Sequence, residues 1–368
     1  MSERALLIAG GGTGGHLFPG VAVADELRAL SPGLSLAFVA TGKVLEREVL
    51  GRAGYRLEAL TVRAFRGAGL LDRLKSLMVL PGAVWQARGL LAKYRPSCVL
   101  AVGGYAAFPL GLAAWLKGVP LLVQEQNAVP GLTNRLLSRL ARRVFISFAA
   151  AERHFPAGKS LLTGNPVRPD LLEEARAAQA ERPAPTQVFR VLVLGGSQGA
   201  HSINLAVMAA LPLLADRRPR LHIVHQTGAG DEEQVRRAYA EQGQPGEVAA
   251  FFKDMGRRYG LAHLCICRAG AGTACELTAV GRASALAPYP FAAGDHQTMN
   301  ARALAEAGAA VMIPDAQLSG PRLAELIAGL MDEPRRLAEM EAAAAALGRP
   351  LAAREIAQAC LEQMKEAA

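Results

Sequence analysis

Short apolar runs alternate along the chain with stretches of helical periodicity. Residues 6–8 form one such run. Residues 21–30 then carry Val23, Leu27 and Leu30 on one helical face. The same reading predicts strands over 34–40 and 56–61 around a helix over 45–53, then strands over 99–102, 121–123 and 144–146, with a helix over 132–141. Residues 169–190 read as a join, since Arg182-Pro183-Ala184-Pro185-Thr186 has linker composition. Beyond it, strands are expected over 191–194, 221–225, 248–251, 264–267 and 283–287, and helices over 232–239, 274–280 and 351–365. Strand and helix in alternation predict an α/β fold, with parallel sheets covered on both faces. A length of 368 residues suits two such domains. We divide the chain into an N-terminal lobe (1–165), a C-terminal lobe (166–350) and a last helix (351–368) that could pack back across the junction.

Two of the strands empty into glycine-rich loops. The first run leads into Gly10-Gly11-Gly12-Thr13-Gly14-Gly15-His16, and residues 191–194 lead into Gly195-Gly196-Ser197-Gln198-Gly199. Glycines let a backbone approach a ligand closely, and the helix that follows offers unpaired N–H groups with partial positive charge. A single loop of this kind suggests a dinucleotide enzyme. The repetition 185 residues later implies two lobes of similar design, and no convincing acid stands about 20 residues after the first loop.

Composition narrows the picture. No apolar run reaches the roughly 20 residues of a membrane-crossing helix, and the N-terminus does not read as a signal peptide. The five cysteines lack zinc spacing, and Cys265 and Cys267 share one face of an apolar strand, so buried thiols in a reduced, cytosolic chain are expected. Net charge is +9, and all of the excess lies in the first half: residues 1–166 hold 20 Lys and Arg against 9 Asp and Glu. A basic lobe implies an anionic partner. Aromatic residues make up only 5% of the chain, too few for a stacking platform for single-stranded nucleic acid.

Much of that charge falls in residues 63–95, where seven basic residues face the single acid Asp72. Leu70, Leu71, Leu74, Leu77, Met78 and Trp85 are interleaved with Arg73 and Lys75. One reading is a crossover helix packed on the sheet with its arginines in water. The other is an exposed apolar face ringed by cations, making a peripheral contact with an anionic membrane surface.

Chemistry concentrates at strand ends. His16 stands where the first glycine loop meets its helix, either as a general base or satisfied by a backbone group. Gly103, Gly104 and Tyr105 form a second glycine turn, and Gln124-Glu125-Gln126-Asn127 is a polar block beyond an apolar strand. In the second half, the loops at 195–199, 268–273 and 288–297 converge at strand ends. Ser197 and helix N-termini there suit a pyrophosphate, and Glu276 either accepts from ribose hydroxyls or is a surface glutamate. No D-x-D triplet occurs, so no metal is expected on the leaving diphosphate, and helix dipoles with Arg168 would carry that charge.

Eight blocks in order extend across nearly the whole chain: GGGTGGHLFPG (10–20), GGYAAFP (103–109), QEQNAVPGLTNRLL (124–137), TGNPVR (163–168), GGSQGAHSIN (195–204), FFKDM (251–255), CRAGAGTACEL (267–277) and PFAAGDHQTMNA (290–301). Together they resemble the MurG family, the two-lobed glycosyltransferases of peptidoglycan synthesis. The resemblance implies a GT-B fold of two Rossmann-like lobes with the active site in the cleft between them. It further implies transfer of N-acetylglucosamine from UDP-N-acetylglucosamine to undecaprenyl-diphospho-muramoyl-pentapeptide at the cytoplasmic face of the membrane, with inversion to a β-1,4 linkage and no cofactor.

By motif, Ser197 and residues 271–276 (Ala271, Gly272, Thr273, Ala274, Cys275 and Glu276) would hold the diphosphate and ribose. Phe252 would offer backbone contacts to uracil, and Gln297 would bind the sugar. Thr13, Gly14, Gly15, Asn127 and Arg168 would complete the donor site. His16 is the favoured base, and Gly103, Gly104, Tyr105, Glu125 and Gln126 are the acceptor candidates. Ala107 and Gly294 depart from the family, standing where serine and an acid are common; neither removes a named catalytic group. A transferase acting on another lipid such as diacylglycerol, a dinucleotide oxidoreductase and a nucleic-acid-binding protein are the competing readings.

Overall fold

The computed structural model describes residues 4–62, 70–196 and 198–366, apart from the side chains of residues 70–78. The chain forms two compact units, residues 1–168 with 351–368, and residues 169–350.

The first unit runs β1 (Ala5–Gly10), α1 (Gly14–Leu30), β2 (Ser35–Ala40), α2 (Val44–Arg52), β3 (Arg56–Ala59), α3 (Leu70–Tyr94), β4 (Cys98–Gly103), α4 (Ala107–Leu116), β5 (Leu121–Glu125), α5 (Leu132–Leu140), β6 (Arg143–Ile146) and β7 (Ser160–Leu162). The strands form one parallel sheet in the order β3-β2-β1-β4-β5-β6-β7. Ile8 pairs with Phe38 on one side and Leu100 on the other. Because strand side chains alternate between faces, Leu7, Ala9, Val99 and Ala101 pack with Ala87 and Leu91 of α3 and Leu110 of α4, while Leu6, Ile8 and Leu100 pack with Leu17, Val23 and Leu27 of α1. Both faces are thus dry, which is why β1 and β4 are apolar without interruption.

The second unit runs α6 (Pro169–Ala180), β8 (Phe189–Leu194), α7 (His201–Ala210), β9 (Leu221–Gln226), α8 (Glu232–Glu241), β10 (Gly246–Ala249), α9 (Met255–Leu261), β11 (Leu264–Cys267), α10 (Ala271–Val280), β12 (Ala283–Leu286), α11 (His296–Glu306), β13 (Ala310–Met312), α12 (Gly320–Asp332) and α13 (Pro334–Leu347). Its parallel sheet has the order β10-β9-β8-β11-β12-β13. The last helix, α14 (Ala352–Glu366), returns to the first unit, where Ile356, Ala357, Cys360 and Met364 join the α1 face of the core and Arg142 donates to Gln363 at 3.0 Å.

Three features differ from the sequence reading. The division falls at Arg168, ahead of the Pro-rich stretch, which lies inside the second unit. There Arg182 is pinned by Glu341 and by the Ala262 carbonyl at 3.0 Å, and the Pro183 carbonyl lies 3.0 Å from His263 Nε2. The first helix begins at Gly14, within the glycine run and ahead of the 21–30 stretch that shows the helical face. β13 is a strand of three residues, too short to show a period. All five cysteines are buried. Among the described residues, no helix is long and apolar enough to cross a membrane, and no group of three His, Cys, Asp or Glu side chains is placed to hold a metal ion.

Candidate functional site

Each sheet reverses its strand order once, between β1 and β4 in the first unit and between β8 and β11 in the second. In open parallel sheets the loops leaving the carboxyl ends at such a point diverge and leave room for a ligand. Both glycine loops, and both of their partner loops at 103–105 and 268–273, lie at these positions. Thr13 precedes α1 in extended conformation, and the first turn of that helix holds no acid.

In the first unit, the structure brings His16, Gly103 and Gln126 together. His16 Nδ1 lies 3.1 Å from the Val102 carbonyl and 3.0 Å from Gln126 Oε1. Gly103 has φ +95°, and a Cβ there would sit 2.8 Å from His16 Nδ1, so only glycine lets the imidazole lie against the end of β4. Glu125 and Gln126, read as acceptor candidates, are buried. Glu125 accepts from Asn127 N at 2.9 Å, Asn127 Nδ2 at 3.3 Å, Asn134 Nδ2 at 2.9 Å and Gly131 N at 3.3 Å. Burial pushes its carboxyl up from the usual range, against those donors. Glu125 and Gln126 therefore build the loop that presents Asn127, while Tyr105 is half-buried on the neighbouring turn. Arg168 is half-buried at the end of the unit.

A residue that the sequence reading missed closes the other side of this loop. Buried Glu46 accepts from Gly12 N at 2.6 Å, Thr41 Oγ1 at 3.0 Å and Lys43 N at 2.8 Å, and so ties the first glycine loop to the start of α2. One N–H of the glycine run is thus committed to the chain's own carboxylate. Nothing but a lone acid early in a helix marked it in the sequence.

In the second unit, Gly199 has φ +78°, and a Cβ there would meet the Thr227 carbonyl at 2.2 Å. The loop is packed backbone to backbone on the turn after β9. Gln226 donates through Nε2 to the Gly196 carbonyl at 3.2 Å and accepts the Phe252 N–H at 3.0 Å. The group the Phe252 backbone has to offer a base is therefore its carbonyl, and its buried ring lies under the Arg258 guanidinium at 3.5 Å. Ser197 lies outside the described residues. The α10 N-terminus opens from Gly270 with no acid in its first turn; Gly272 and Thr273 are half-buried, whereas the side chains of Ala271, Ala274 and Cys275 are buried.

Glu276 is half-buried and accepts from the Tyr259 hydroxyl at 2.9 Å. Burial, then the Glu276 charge, pushes the Tyr259 phenol far above its usual range, so it stays a donor. Gln297 Oε1 accepts from Tyr289 N at 2.9 Å, which orients its amide so that Nε2 is the end that can donate elsewhere. Arg268 spans three segments, reaching Asp315 at 2.6 Å, Ser202 Oγ at 2.8 Å and the Ala287 carbonyl at 3.2 Å. Burial alone would raise Asp315, but the bonds from Arg268 and Ser202 outweigh it and hold the carboxyl below its ordinary value. Tyr259, Gln226 and the Arg268–Asp315 pair were not legible as site residues, because each acts through a partner distant in sequence.

Of the residues read as a membrane contact, Leu70, Leu71, Arg73, Leu74, Lys75, Leu77 and Met78 have side chains outside the described set. Trp85 is 76% exposed, on the side of α3 away from buried Ala83, Ala87 and Leu91. Trp115 and Leu116, on the neighbouring α4, are about half exposed, at 49% and 54%.

Residues 6–146 match the glycosyltransferase family 28 N-terminal domain, and residues 190–356 match the family 28 C-terminal domain. The UDP-N-acetylglucosamine–N-acetylmuramyl-(pentapeptide) pyrophosphoryl-undecaprenol N-acetylglucosamine transferase of Myxococcus xanthus is 46% identical over 359 residues, covering 98% of this chain and 93% of the relative. The protein of the same name from Geobacter metallireducens is 47% identical over 352 residues, 95% of this chain and 96% of that one. Among solved structures, the crystal structure of Acinetobacter baumannii MurG superposes with a TM-score of 0.78 at 31% identity, covering 98% of this chain and 99% of that one. With both domain models matched in order and near-complete relatives at this identity, the chain belongs to glycosyltransferase family 28, in the family of the N-acetylglucosamine transferases that carry the MurG name.

Proposed function

We propose that this chain transfers N-acetylglucosamine from UDP-N-acetylglucosamine to undecaprenyl-diphospho-muramoyl-pentapeptide, forming the disaccharide lipid precursor of peptidoglycan. The observation that carries the reading is the pair of switch-point loops in a chain of this family: a glycine loop with a helix N-terminus and Glu276 in one unit, and a glycine loop with His16 in the other. The second unit takes the nucleotide, with helix N-termini toward the diphosphate and Glu276 on the ribose hydroxyls. Gln297 donates to the sugar, and Thr13–Gly15, Asn127 and Arg168 complete the donor contacts. The first unit takes the lipid-linked acceptor near Gly103, Gly104 and Tyr105.

In the reaction, His16 removes the proton from the muramoyl C4 hydroxyl as its oxygen attacks the anomeric carbon of N-acetylglucosamine. The bond to the UDP oxygen breaks, and UDP leaves with the electron pair. A single displacement inverts the anomeric centre to a β-1,4 linkage. Helix N-terminal N–H groups and Arg168 stabilise the leaving diphosphate, and no metal or cofactor enters.

The enzyme would work as a peripheral protein at the cytoplasmic face of the membrane. Exposed Trp85, Trp115 and Leu116 suit a bilayer interface, and the basic excess of the first half suits anionic lipid. The deciding experiment incubates the protein with a panel of labelled UDP-sugars and with both undecaprenyl-diphospho-muramoyl-pentapeptide and diacylglycerol. Transfer of N-acetylglucosamine to the muramoyl lipid supports the reading, and transfer to diacylglycerol alone sinks it.

A further inference from the structure

Behind His16 lies a chain of three buried amides. Gln126 Nε2 donates to the Val102 carbonyl at 2.7 Å and to Gln124 Oε1, and Gln124 Nε2 donates to Asn165 Oδ1 at 3.1 Å. Gln124, Gln126 and Asn165 are each at most 3% exposed. A glutamine amide can be turned end for end in most settings, but a backbone carbonyl cannot. The Val102 carbonyl therefore fixes Gln126 with its NH₂ toward β4 and its Oε1 toward His16. Reversed, Oε1 would face two acceptors, Val102 O and Gln124 Oε1. His16 Nδ1 then has two acceptors within reach, Gln126 Oε1 at 3.0 Å and Val102 O at 3.1 Å, and it can meet them only by carrying a hydrogen.

We propose that Gln126, braced by Gln124 and Asn165, is a positioning residue that holds His16 in the Nδ1–H tautomer and makes Nε2 its basic nitrogen. Free imidazole carries its proton on either nitrogen, so a histidine without such partners spends part of its time with Nε2 protonated and unable to accept. The brace reaches across three strand ends: β4 supplies the carbonyl, β5 carries Gln124 and leads to Gln126, and the segment after β7 supplies Asn165. A buried polar network of this kind leaves unpaired groups when any member is removed. The role assigned to Gln126 rests on the reading of His16 as the base.

The test labels histidine with 15N and reads the ring nitrogens by NMR, with His16→Ala identifying the His16 signals among the seven histidines. Wild-type protein is expected to show His16 protonated at Nδ1 with Nε2 bare at neutral pH; an Nε2–H majority overturns the proposal, whatever any variant does. Gln126→Met keeps the side chain's length and removes its hydrogen bonds. It is expected to introduce the Nε2–H form and to lower kcat by roughly tenfold or more, with KM for UDP-N-acetylglucosamine unchanged. In a His16→Ala background, the same substitution should have no further effect on kcat; an equal loss there would mark a merely structural role and overturn the proposal. Absence of N-acetylglucosamine transfer by the wild-type protein would refute the proposed function while leaving the NMR result to judge the tautomer. Transfer with an Nε2–H His16 would refute the tautomer alone.

Discussion

The Tyr259 hydroxyl donates to Glu276 Oε2 at 2.9 Å, linking the helix after the 251–255 segment to the helix after the 268–270 loop. Tyr259 is fully buried and cannot swing, so it fixes the carboxylate that we assign to the ribose. Tyr259→Phe keeps the ring and deletes the bond. A hydrogen bond to a charged acceptor contributes about 1.5–3 kcal/mol, so the dissociation constant for UDP measured by calorimetry should rise roughly tenfold or more. Unchanged affinity would remove Glu276 from the nucleotide site.

For His16→Ala, we expect UDP affinity to stay at the wild-type value while turnover falls by roughly two to four orders of magnitude, the range for loss of a general base. Turnover near wild type would reject His16 as the base. A matched loss of UDP affinity would make it a ligand contact.

Trp85 and Trp115 lie on adjacent helices and face solvent. Replacing both by Ser, or reversing charge at Arg73 and Lys75, should weaken sedimentation with anionic vesicles while leaving transfer to a short-chain, water-soluble acceptor intact. Vesicle binding at the wild-type level would show that α3 is only a crossover helix.

His263 is buried and neutral. Its Nδ1 accepts from Arg190 N at 2.9 Å, and Nε2 lies 3.0 Å from the Pro183 carbonyl. Burial, then the neighbouring Arg182, lowers its pKa from 6.5 to about 4. His225, buried between Tyr239 and Asn204, is lowered to about 3. A folded-state pKa below the unfolded value means that the unfolded chain binds more protons between the two. Stability of the second unit should therefore fall as pH drops from about 6.5 toward 4, by roughly 3 kcal/mol for His263 alone at the lower end. Urea unfolding of wild type and His263→Gln at pH 7 and 4.5 checks this; an equal pH slope in both would refute it.

Deleting residues 351–368 removes Ile356, Cys360 and Met364 from the α1 face of the first unit. Fully burying a side chain of the Ile or Met size is worth about 1.5–3 kcal/mol. The deletion should thus cost several kcal/mol and lower the melting temperature of the first unit, not the second. Limited proteolysis that cuts the second unit first would contradict the assignment of α14.

The alternation of apolar runs and helical faces is a local property, because both periods are set by backbone geometry, and it sufficed for two doubly wound sheets. The glycine loops were legible for the same reason: close backbone approach leaves no side chain that could stand in for glycine. The eight blocks carried the family. Tertiary structure decided the rest. The Pro-rich stretch at 182–186 could not be placed by composition, since its partners His263 and Glu341 lie about 80 and 160 residues away. Glu125 and Gln126 looked like site residues because they are polar beyond a strand, yet only the fold showed them buried. They hold Asn127 and His16 through bonds that no spacing in the sequence encodes. A sequence fixes which groups are present and which face of an element they occupy. Which acceptor meets which donor is settled only when strands far apart in the chain lie side by side.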